Sequence, residues 1–487
     1  MPDFHDRMAA LFKDREPGLQ RKILAGAALA AIFAPGIAMA ADLGGAGLSA
    51  WWGLPFAGLL LSIALCPLLM PQFWHHHYGK TAAAWSLAFL APCAIYFGLP
   101  VAAAGAVHAF VAEFIPFIIL ITALFVVAGG ICVRGNLQGT PALNTGILAI
   151  GTLLASVMGT TGAAMLMIRP MIRANDNRKH AAHIVVFFIF LVANAGGSLT
   201  PLGDPPLFLG FLKGIDFFWT MRHIFPETLF LCTALLLIFY ALDSYYYYRR
   251  EEIMPVDPTP DSSIRFEGKA NFALLAAVVA LVLMSGFWKP GIEFSLLGTP
   301  VALQNLLRDG ALIGVILLSL KITPASARAG NDFSWAPIAE VGKLFAGIFI
   351  TIIPVIAMLR AGEAGAFGAV VRAVTGPSGQ PVDAMYFWAT GFLSTFLDNA
   401  PTYLVFFNTA GGDPQQLMTT LASTLAAISC GAVFMGANSY IGNAPNMMVK
   451  AIAEERGIRM PSFFGYMAWS GVILVPLFIL MTFIFFR

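Results

Sequence analysis

Residues Asn194–Leu207 read Asn-Ala-Gly-Gly-Ser-Leu-Thr-Pro-Leu-Gly-Asp-Pro-Pro-Leu. This stretch interrupts an otherwise apolar run that extends from His183 to Leu212. Its glycines and prolines cannot continue an α-helix. Because lipid offers no partners for the freed backbone groups, such a break is stable only inside protein or beside a water-filled cavity. The break also carries the carboxylate of Asp204, and a broken helix with a carboxylate is typical of a small-ion site.

The composition of the whole chain places this break in a membrane. Of the 487 residues, 58% are hydrophobic and only 11% are charged. A soluble protein carries roughly 25% charged residues. The alternating polar and apolar strands of a membrane β-barrel are absent from the sequence. The composition therefore predicts an all-α polytopic membrane protein.

Hydrophobic runs divide the chain into four parts. We expect an N-terminal lead and first span at 1–50, a first repeat at 51–248, a hydrophilic linker at 249–270 and a second repeat at 271–487. The apolar run that ends near Ala41 is either a retained span or a cleavable signal peptide. About 11 transmembrane segments result. After the first, they lie near 51–71, 81–101, 113–133, 183–213, 218–246, 271–288, 309–321, 340–360, 415–453 and 463–486.

Two further segments have the pattern of re-entrant hairpins. In the first, limbs at 142–158 and 163–173 flank the polar tip Gly159–Gly162, and each limb is shorter than the ~20 residues that a span needs. In the second, 384–410 is interrupted at Asp398-Asn399-Ala400-Pro401. The later segment 415–453 is broken at Gly436–Asn446, as 183–213 is at Asp204.

The Lys and Arg residues predict the orientation. Most of them fall on the cytoplasmic side when the N-terminus is cytoplasmic, as the positive-inside rule requires. This arrangement leaves the C-terminus outside and predicts a multi-pass protein of a bacterial-type inner membrane. It also makes the first hairpin enter from the cytoplasm and the second from outside.

The two halves match each other at a nearly constant offset. A shift of about 240 positions lays the first hairpin on the second, so that Thr160 and Thr161 meet Ala400 and Pro401, and Gly159 meets Asn399. A shift of about 239 positions lays Gly203-Asp204-Pro205-Pro206 on Gly442-Asn443-Ala444-Pro445. Because the hairpins enter from opposite sides, the repeats are inverted. Inverted repeats with broken helices indicate an alternating-access carrier.

Three motifs carry a family resemblance. Leu397-Asp-Asn-Ala-Pro-Thr402 and Gly436-Ala-Asn-Ser-Tyr-Ile-Gly-Asn-Ala-Pro-Asn446 resemble the second-repeat hairpin and broken helix of the ion-transporter superfamily. Ser198-Leu-Thr-Pro-Leu-Gly-Asp-Pro-Pro206 is similar to the counterpart in its sodium:proton antiporter or citrate transporter branch, related to arsenite permeases and dicarboxylate carriers. The resemblance implies a homodimer with a scaffold domain and a transport domain that moves like an elevator. The first hairpin tip, Gly-Thr-Thr-Gly, departs from the acidic Asp-Asn of many members.

The breaks and hairpin tips supply the candidate ligands. A carboxylate in the bilayer interior indicates a functional site, so we expect Asp204 and Asp398 to bind Na⁺; capping of a half-helix is the other interpretation. Amide and hydroxyl oxygens suit a hard cation. The remaining candidates are Asn399, Asn438, Asn443, Thr160, Thr161, Ser198, Thr200, Thr402 and Ser439.

These residues favour sodium/proton antiport, since one buried carboxylate can hold either Na⁺ or a proton. A Na⁺- or H⁺-coupled citrate or dicarboxylate carrier is the second interpretation, which the Thr-Thr tip and Arg169 would suit; an arsenite-type permease is the third. The sequence has no ATP-binding loop and no hydrolase or zinc-protease motif, so an enzyme is not expected. We expect no cofactor other than Na⁺. The expected partners are small cations or carboxylates, lipid and a second copy of the chain, with no nucleic acid.

Overall fold

The structure is a computed structural model that describes residues 43–250, 262–377 and 379–487. The expected N-terminal lead and the first apolar run, up to residue 42, lie outside the described residues. So does the middle of the expected linker, 251–261.

The described residues of the first half form mostly helices. Their α-helices are α1 (Leu54–Leu69), α2 (Pro71–Tyr96), α3 (Leu99–His108), α4 (Ile115–Ala128), α5 (Pro141–Met158), α6 (Thr160–Arg173), α7 (Ala182–Leu191), α8 (Pro205–Leu212), α9 (Trp219–His223) and α10 (Phe225–Tyr245). Single-turn 3₁₀ segments lie at Gly45–Gly47, Ala50–Gly53 and Ala195–Leu199, and π-helical turns at Ala109–Phe114 and Tyr246–Arg250.

The described residues of the second half also form mostly helices. Its α-helices are α11 (Ala270–Phe287), α12 (Leu303–Ile322), α13 (Ala325–Gly330), α14 (Ala336–Thr351), α15 (Ile353–Arg360), α16 (Gly368–Ala373), α17 (Asp383–Phe396), α18 (Asn399–Thr409), α19 (Pro414–Met418), α20 (Ala422–Met435), α21 (Ala444–Glu455) and α22 (Phe463–Phe485). Further 3₁₀ turns lie at Gly362–Ala364 and Gly436–Asn438.

Two small sheets were not expected from the sequence. Strand β1 (Cys132–Asn136) pairs antiparallel with β2 (Ser262–Glu267), and β3 (Glu293–Leu296) forms a hairpin with β4 (Thr299–Ala302). Strand β2 lies in the stretch expected to be a linker, so the end of that linker is joined to the first half through backbone hydrogen bonds. No alternating hydrophobic pattern announces β2, because its residues are mostly exposed.

The chain is an all-α polytopic membrane protein. Among the described residues, seven helical segments are long and apolar enough to cross a membrane, or eight if the pair α14–α15, bent by 43°, counts as one. Helix α5, the first hairpin limb, is among them, because it begins one residue before the expected limb and contains 18 residues. Helix α12, which carries Arg308 and Asp309, is not among them.

The broken span lies at the centre of the molecule. Residues 182–199 are 89% buried, whereas the other apolar spans are 28–44% buried and present much of their surface outward. Helix α5 packs on α6 and on the turn 195–199, and α17 packs along α20. The halves also cross over, because α6 packs against α21 and α18 packs against α8. The half-helices of each break therefore lie against a hairpin limb from the other half.

The hairpins and breaks repeat at a single offset of 239 residues. Helices α6 and α18 begin at Thr160 and Asn399, and the half-helices α8 and α21 follow Asp204 and Asn443. Asp204 has φ −144° and ψ 143°, and Asn443 has φ −150° and ψ 138°. The structure thus pairs Thr160 with Asn399, which corrects the offset of about 240 expected for the hairpins. One residue was misplaced because α5 continues to Met158, whereas α17 ends at Phe396 and leaves Leu397 extended at the tip.

Each break requires glycine at the point where two backbone segments of the break cross closely. A Cβ atom on Gly203 would lie 2.1 Å from the carbonyl oxygen of Gly197. In the second half a Cβ atom on Gly442 would lie 2.5 Å from the carbonyl oxygen of Gly436. Both contacts are with backbone and cannot be relieved by a side-chain rotation. The same backbone crossing therefore closes both breaks.

We expect Gly203→Ala and Gly442→Ala each to destabilise the protein. Overpacking a tight interior typically costs about 1–3 kcal/mol. Gly314→Ala on α12 is the matched control, because a Cβ atom at that position would have no neighbour within 4 Å and alanine favours a helix. Thermal unfolding of the purified protein in detergent measures all three. Equal melting temperatures for the three variants would contradict the close crossing.

Candidate functional site

Four helix N-termini meet at the centre of the molecule. Thr160 is the first residue of α6 and Asn399 the first of α18, while Asp204 and Asn443 are the N-cap residues of α8 and α21. The prolines that follow Asp204 and Asn443 suit the first turn of a helix. Each break and each hairpin tip thus delivers one polar side chain to the same place. We call these four residues the Asp204 cluster.

The other three members of the cluster all donate hydrogen bonds to Asp204. The Thr160 hydroxyl donates to Oδ1 at 3.0 Å and the Asn443 amide donates to the same oxygen at 3.1 Å. The Asn399 amide donates to Oδ2 at 2.5 Å. Asp204 is 2% exposed and each of its three partners is equally buried. Both halves of the chain are therefore tied to one carboxylate.

The hydrogen-bond partners of the Asp204 carboxylate include no basic side chain. The three donors are neutral, and the carboxylate of Asp398, next to Asn399 in the chain, adds repulsion. Each helix N-terminus carries about +0.5 of an elementary charge. Four such ends provide partial positive charge where the chain supplies no ion pair. The site can thus keep one negative charge and would gain from a bound cation.

Asp204 and Asp398 play different structural parts. Asp398 Oδ1 accepts a hydrogen bond from the backbone N–H of Ala400 at 3.0 Å, so this side chain caps α18. Asp204 caps nothing, since Pro205 and Pro206 have no N–H to donate. Asp398 is only half-buried. The capping interpretation considered from the sequence thus describes Asp398, while Asp204 is held entirely by groups from elsewhere in the fold.

Two of the predicted ligands, Asn399 and Asn438, have a buried amide oxygen without a hydrogen-bond partner. Among the described residues, neither Oδ1 of Asn399 nor Oδ1 of Asn438 accepts a hydrogen bond. The amide nitrogen of Asn399 donates to Asp204, and that of Asn438 donates to the Thr395 hydroxyl at 3.0 Å. A buried acceptor without a partner is costly, and carbonyl-type oxygens are the ligands that hard cations prefer. These two oxygens are therefore available to a cation.

The other predicted hydroxyl ligands are engaged in structural hydrogen bonds. Ser198 bonds Thr228 of α10 at 2.7 Å, Ser439 donates to the backbone of Thr395 at 2.5 Å, and Thr402 donates to the backbone of Asp398 at 2.9 Å. Thr200 donates to the backbone oxygen of Ser156. Thr161 is half-buried and is not among the donors to Asp204. None of these five hydroxyls donates a hydrogen bond to Asp204.

A hydroxyl on the first limb of each hairpin forms a hydrogen bond to the backbone of the break, which the sequence did not predict. Ser156 donates to the backbone oxygen of Gly196 at 2.5 Å, and its counterpart Thr395 donates to that of Met435 at 3.3 Å. The hydrogen bonds from Thr200 and Ser439 return from the breaks to these same two residues. Each hairpin is thereby fastened to the break of its own half.

Two asparagines that the sequence analysis did not select complete the site. Asn194 donates to Asn446 Oδ1 at 2.8 Å and lies 3.3 Å from the amide nitrogen of Asn443. Asn446 in turn donates to the backbone oxygens of Gly436 and Ser439, both at 2.9 Å. Both asparagines are fully buried. Asn194 is the first residue of the first break and Asn446 is the last of the second, and an amide side chain at these positions could have identified both as candidates.

Arg169 does not belong to the Asp204 cluster. It lies nine residues along α6 from Thr160, which corresponds to about 13 Å of helix. Its Nε donates to Asp332 at 3.2 Å. The basic residue that the sequence offered for an anionic cargo is therefore at the other end of the hairpin limb.

The chain matches a known protein family over most of its length. A family model with the description "Putative citrate transport" matches residues 45–486, nearly all of the described chain. A search of curated proteins finds no match.

Two substitutions at Asp398 distinguish its role as a helix cap from the role of its negative charge. Asp398→Asn keeps an oxygen that can accept from Ala400, whereas Asp398→Ala loses the cap and should cost about 1 kcal/mol of stability. We expect Na⁺ to stabilise the wild type and neither variant, because both substitutions remove the charge. Thermal unfolding with and without Na⁺ measures the two effects. Full Na⁺ stabilisation of Asp398→Asn would remove this carboxylate from the cation site.

Proposed function

The chain belongs to this citrate-transport family, and from that membership we propose that it is a secondary transporter in which Asp204 exchanges Na⁺ for a proton. The observation that carries the proposal is a buried carboxylate whose three hydrogen-bond donors are all neutral. A site that holds net negative charge and no basic group favours a cation or a proton over an anion.

The exchange uses the two forms of one side chain. With Na⁺ bound, Asp204 is ionised and the amide of Asn399 turns by about 180°, so that its unpartnered Oδ1 becomes a ligand. When the ion leaves, a proton neutralises Asp204, and the same amide oxygen accepts the new O–H. Backbone carbonyls at the ends of α5, α7, α17 and α20 complete the ion's shell. Because the two cargoes compete for one carboxylate, the cycle exchanges them.

The movement between the two sides of the membrane is part of the proposal. Each hairpin is fastened to the break of its own half, and the halves meet at Asp204. This unit can move as one body without breaking the site. We propose an elevator-type alternating-access carrier that works as a homodimer, with the C-terminus outside the cell.

A second candidate is a cation-coupled citrate or dicarboxylate carrier. The description of the family favours it, as does the meeting of four helix N-termini, which suit an anion. In this case Na⁺ on Asp204 would neutralise the carboxylate before the anionic cargo enters. The two candidates differ in whether Na⁺ alone displaces a proton.

Proteoliposomes with a pH-sensitive dye inside test this difference. On external Na⁺ alone we expect proton movement with the wild type and none with Asp204→Asn, which keeps the size of the side chain but cannot titrate. Asp383→Asn is the matched control, because Asp383 accepts from Thr424 at 2.6 Å at the start of α17, away from the cluster. Proton movement that requires citrate would favour the second candidate. Na⁺-driven movement by Asp204→Asn would rule out Asp204 as the exchanging group.

The pH profile of exchange tests the role of the Thr160 hydroxyl. Its hydrogen bond stabilises the ionised form of Asp204, so Thr160→Val should move the profile to more alkaline pH. A hydrogen bond to a charged group contributes roughly 1.5–3 kcal/mol, which corresponds to about one pH unit or more. Thr161→Val is the control, since that hydroxyl does not donate to Asp204. Identical shifts in both variants would contradict a specific contribution.

A further inference from the structure

A cavity lies at the opposite ends of two helices that begin in the Asp204 cluster. It has a volume of about 630 Å³. Its walls come from the end of α6, the connection 175–183, Tyr246, the segment 456–459 after α21, and Trp469 of α22. Helices α6 and α21 contain 14 and 12 residues, so the cavity is about 20 Å from the cluster. We call it the basic cavity.

The walls of the basic cavity carry far more positive than negative charge. Asp176 is the only acidic side chain among the described lining residues. Arg178 is neutralised by Asp243, 2.7 Å away. The basic side chains of the lining are Arg169, Arg173, Arg178, Lys179, Arg456 and Arg459. In the described part of the chain, no carboxylate forms an ion pair with Arg173, Lys179, Arg456 or Arg459.

Two of these arginines have buried donors that nothing in the described chain uses. Arg169 is 8% exposed and its Nη1 has no hydrogen-bond partner. Arg173 donates to the backbone oxygen of Val133 at 2.6 Å, but its Nε is also without a partner. The charges of Arg134, Arg456 and Arg169 all act against that of Arg173. Crowded cations with open donors are stabilised by the oxygens of an anion.

The positive-inside rule alone does not account for this arrangement. That rule concerns basic residues at the membrane surface, where water solvates them. Arg456 and Arg459 fit this description because both are exposed. Arg169 does not, because it is buried, and Asp332, which forms an ion pair with it, is itself 63% exposed.

We propose that the basic cavity binds a polyanion with at least two phosphate or carboxylate groups. The guanidinium groups come from two chain segments, α6 and 456–459, so a ligand with two anionic groups can bridge them. Arginine binds both kinds of group through paired N–H donors. A bridging ligand joins the far ends of two helices, and at their near ends Thr160 and Asn443 donate hydrogen bonds to Asp204. A lipid headgroup with two phosphates and a soluble polyanion share this chemistry.

Pyrophosphate is the probe for the soluble source. Its binding to the full-length protein in neutral detergent is measured by calorimetry and thermal unfolding, with tetramethylammonium as the cation so that no Na⁺ is present. We expect binding to the wild type, and a Kd about tenfold higher for Arg456→Gln/Arg459→Gln, which is about 1.4 kcal/mol. These exposed residues are not needed for folding. Arg169→Gln should weaken binding further.

Two controls separate the cavity from other sites. Arg372→Gln removes an exposed arginine elsewhere in the chain and should leave binding unchanged. Asp204→Asn should also bind pyrophosphate as the wild type does, because the cavity is remote from the cluster. The result is thus independent of the proposed exchange at Asp204.

Nanodiscs test the lipid source. The protein is compared in phosphatidylcholine alone and with added cardiolipin, whose headgroup carries two phosphates. Stabilisation by cardiolipin that Arg169→Gln and Arg456→Gln/Arg459→Gln both lose, without pyrophosphate binding, assigns the cavity to lipid. Pyrophosphate binding that the same variants lose assigns it to a soluble anion. If neither ligand acts, or if the variants bind as the wild type does, the proposal is wrong.

Discussion

The structure depends on holding one carboxylate inside a membrane protein without a basic partner. An isolated charge in a medium of low polarity is costly, and a membrane protein has little water at its centre to reduce this cost. Here the compensation comes from three neutral donors to Asp204 and from the positive ends of four helices. Those helix ends exist only because both spans are broken and both hairpins turn back. The breaks and hairpins therefore provide the helix ends that stabilise the buried charge.

The same requirement explains the glycines and hydroxyls around the breaks. Backbone that leaves a helix inside a membrane must find new partners. Gly203 and Gly442 let two strands of backbone approach closely, and Ser156 and Thr395 receive a hydrogen bond from the break and return one to it. Most hydroxyls near the site thus satisfy backbone groups, which leaves amide oxygens as the side-chain acceptors that a cation can use.

The sequence predicted the features that repeat and missed those that depend on tertiary contact. The breaks, the hairpins and the place of Asp204 at a break follow from glycine, proline and a carboxylate in apolar segments. The correct pairing of Thr160 with Asn399 does not, because Leu397 is extended whereas its counterpart Met158 is still helical. Likewise, spacing cannot show that Asp398 caps its own helix, that Asn194 contacts Asn446, or that β2 pairs with β1 across more than a hundred residues.

The repeat is symmetric in backbone and asymmetric in charge, and the asymmetry has a physical reason. Asp204 and Asn443 occupy equivalent positions with nearly equal backbone angles, and one donates to the other at 3.1 Å. Two carboxylates at this distance would repel each other, and one would have to take up a proton. Two amides would leave no group to titrate. With one carboxylate and one amide, Asp204 is the single titratable group and Asn443, its counterpart in the repeat, donates to it. Thr160 and Asn399, which are also counterparts, donate two more hydrogen bonds to Asp204. A duplicated fold can thus hold a single titratable carboxylate where its two copies meet, when only one copy carries the charge.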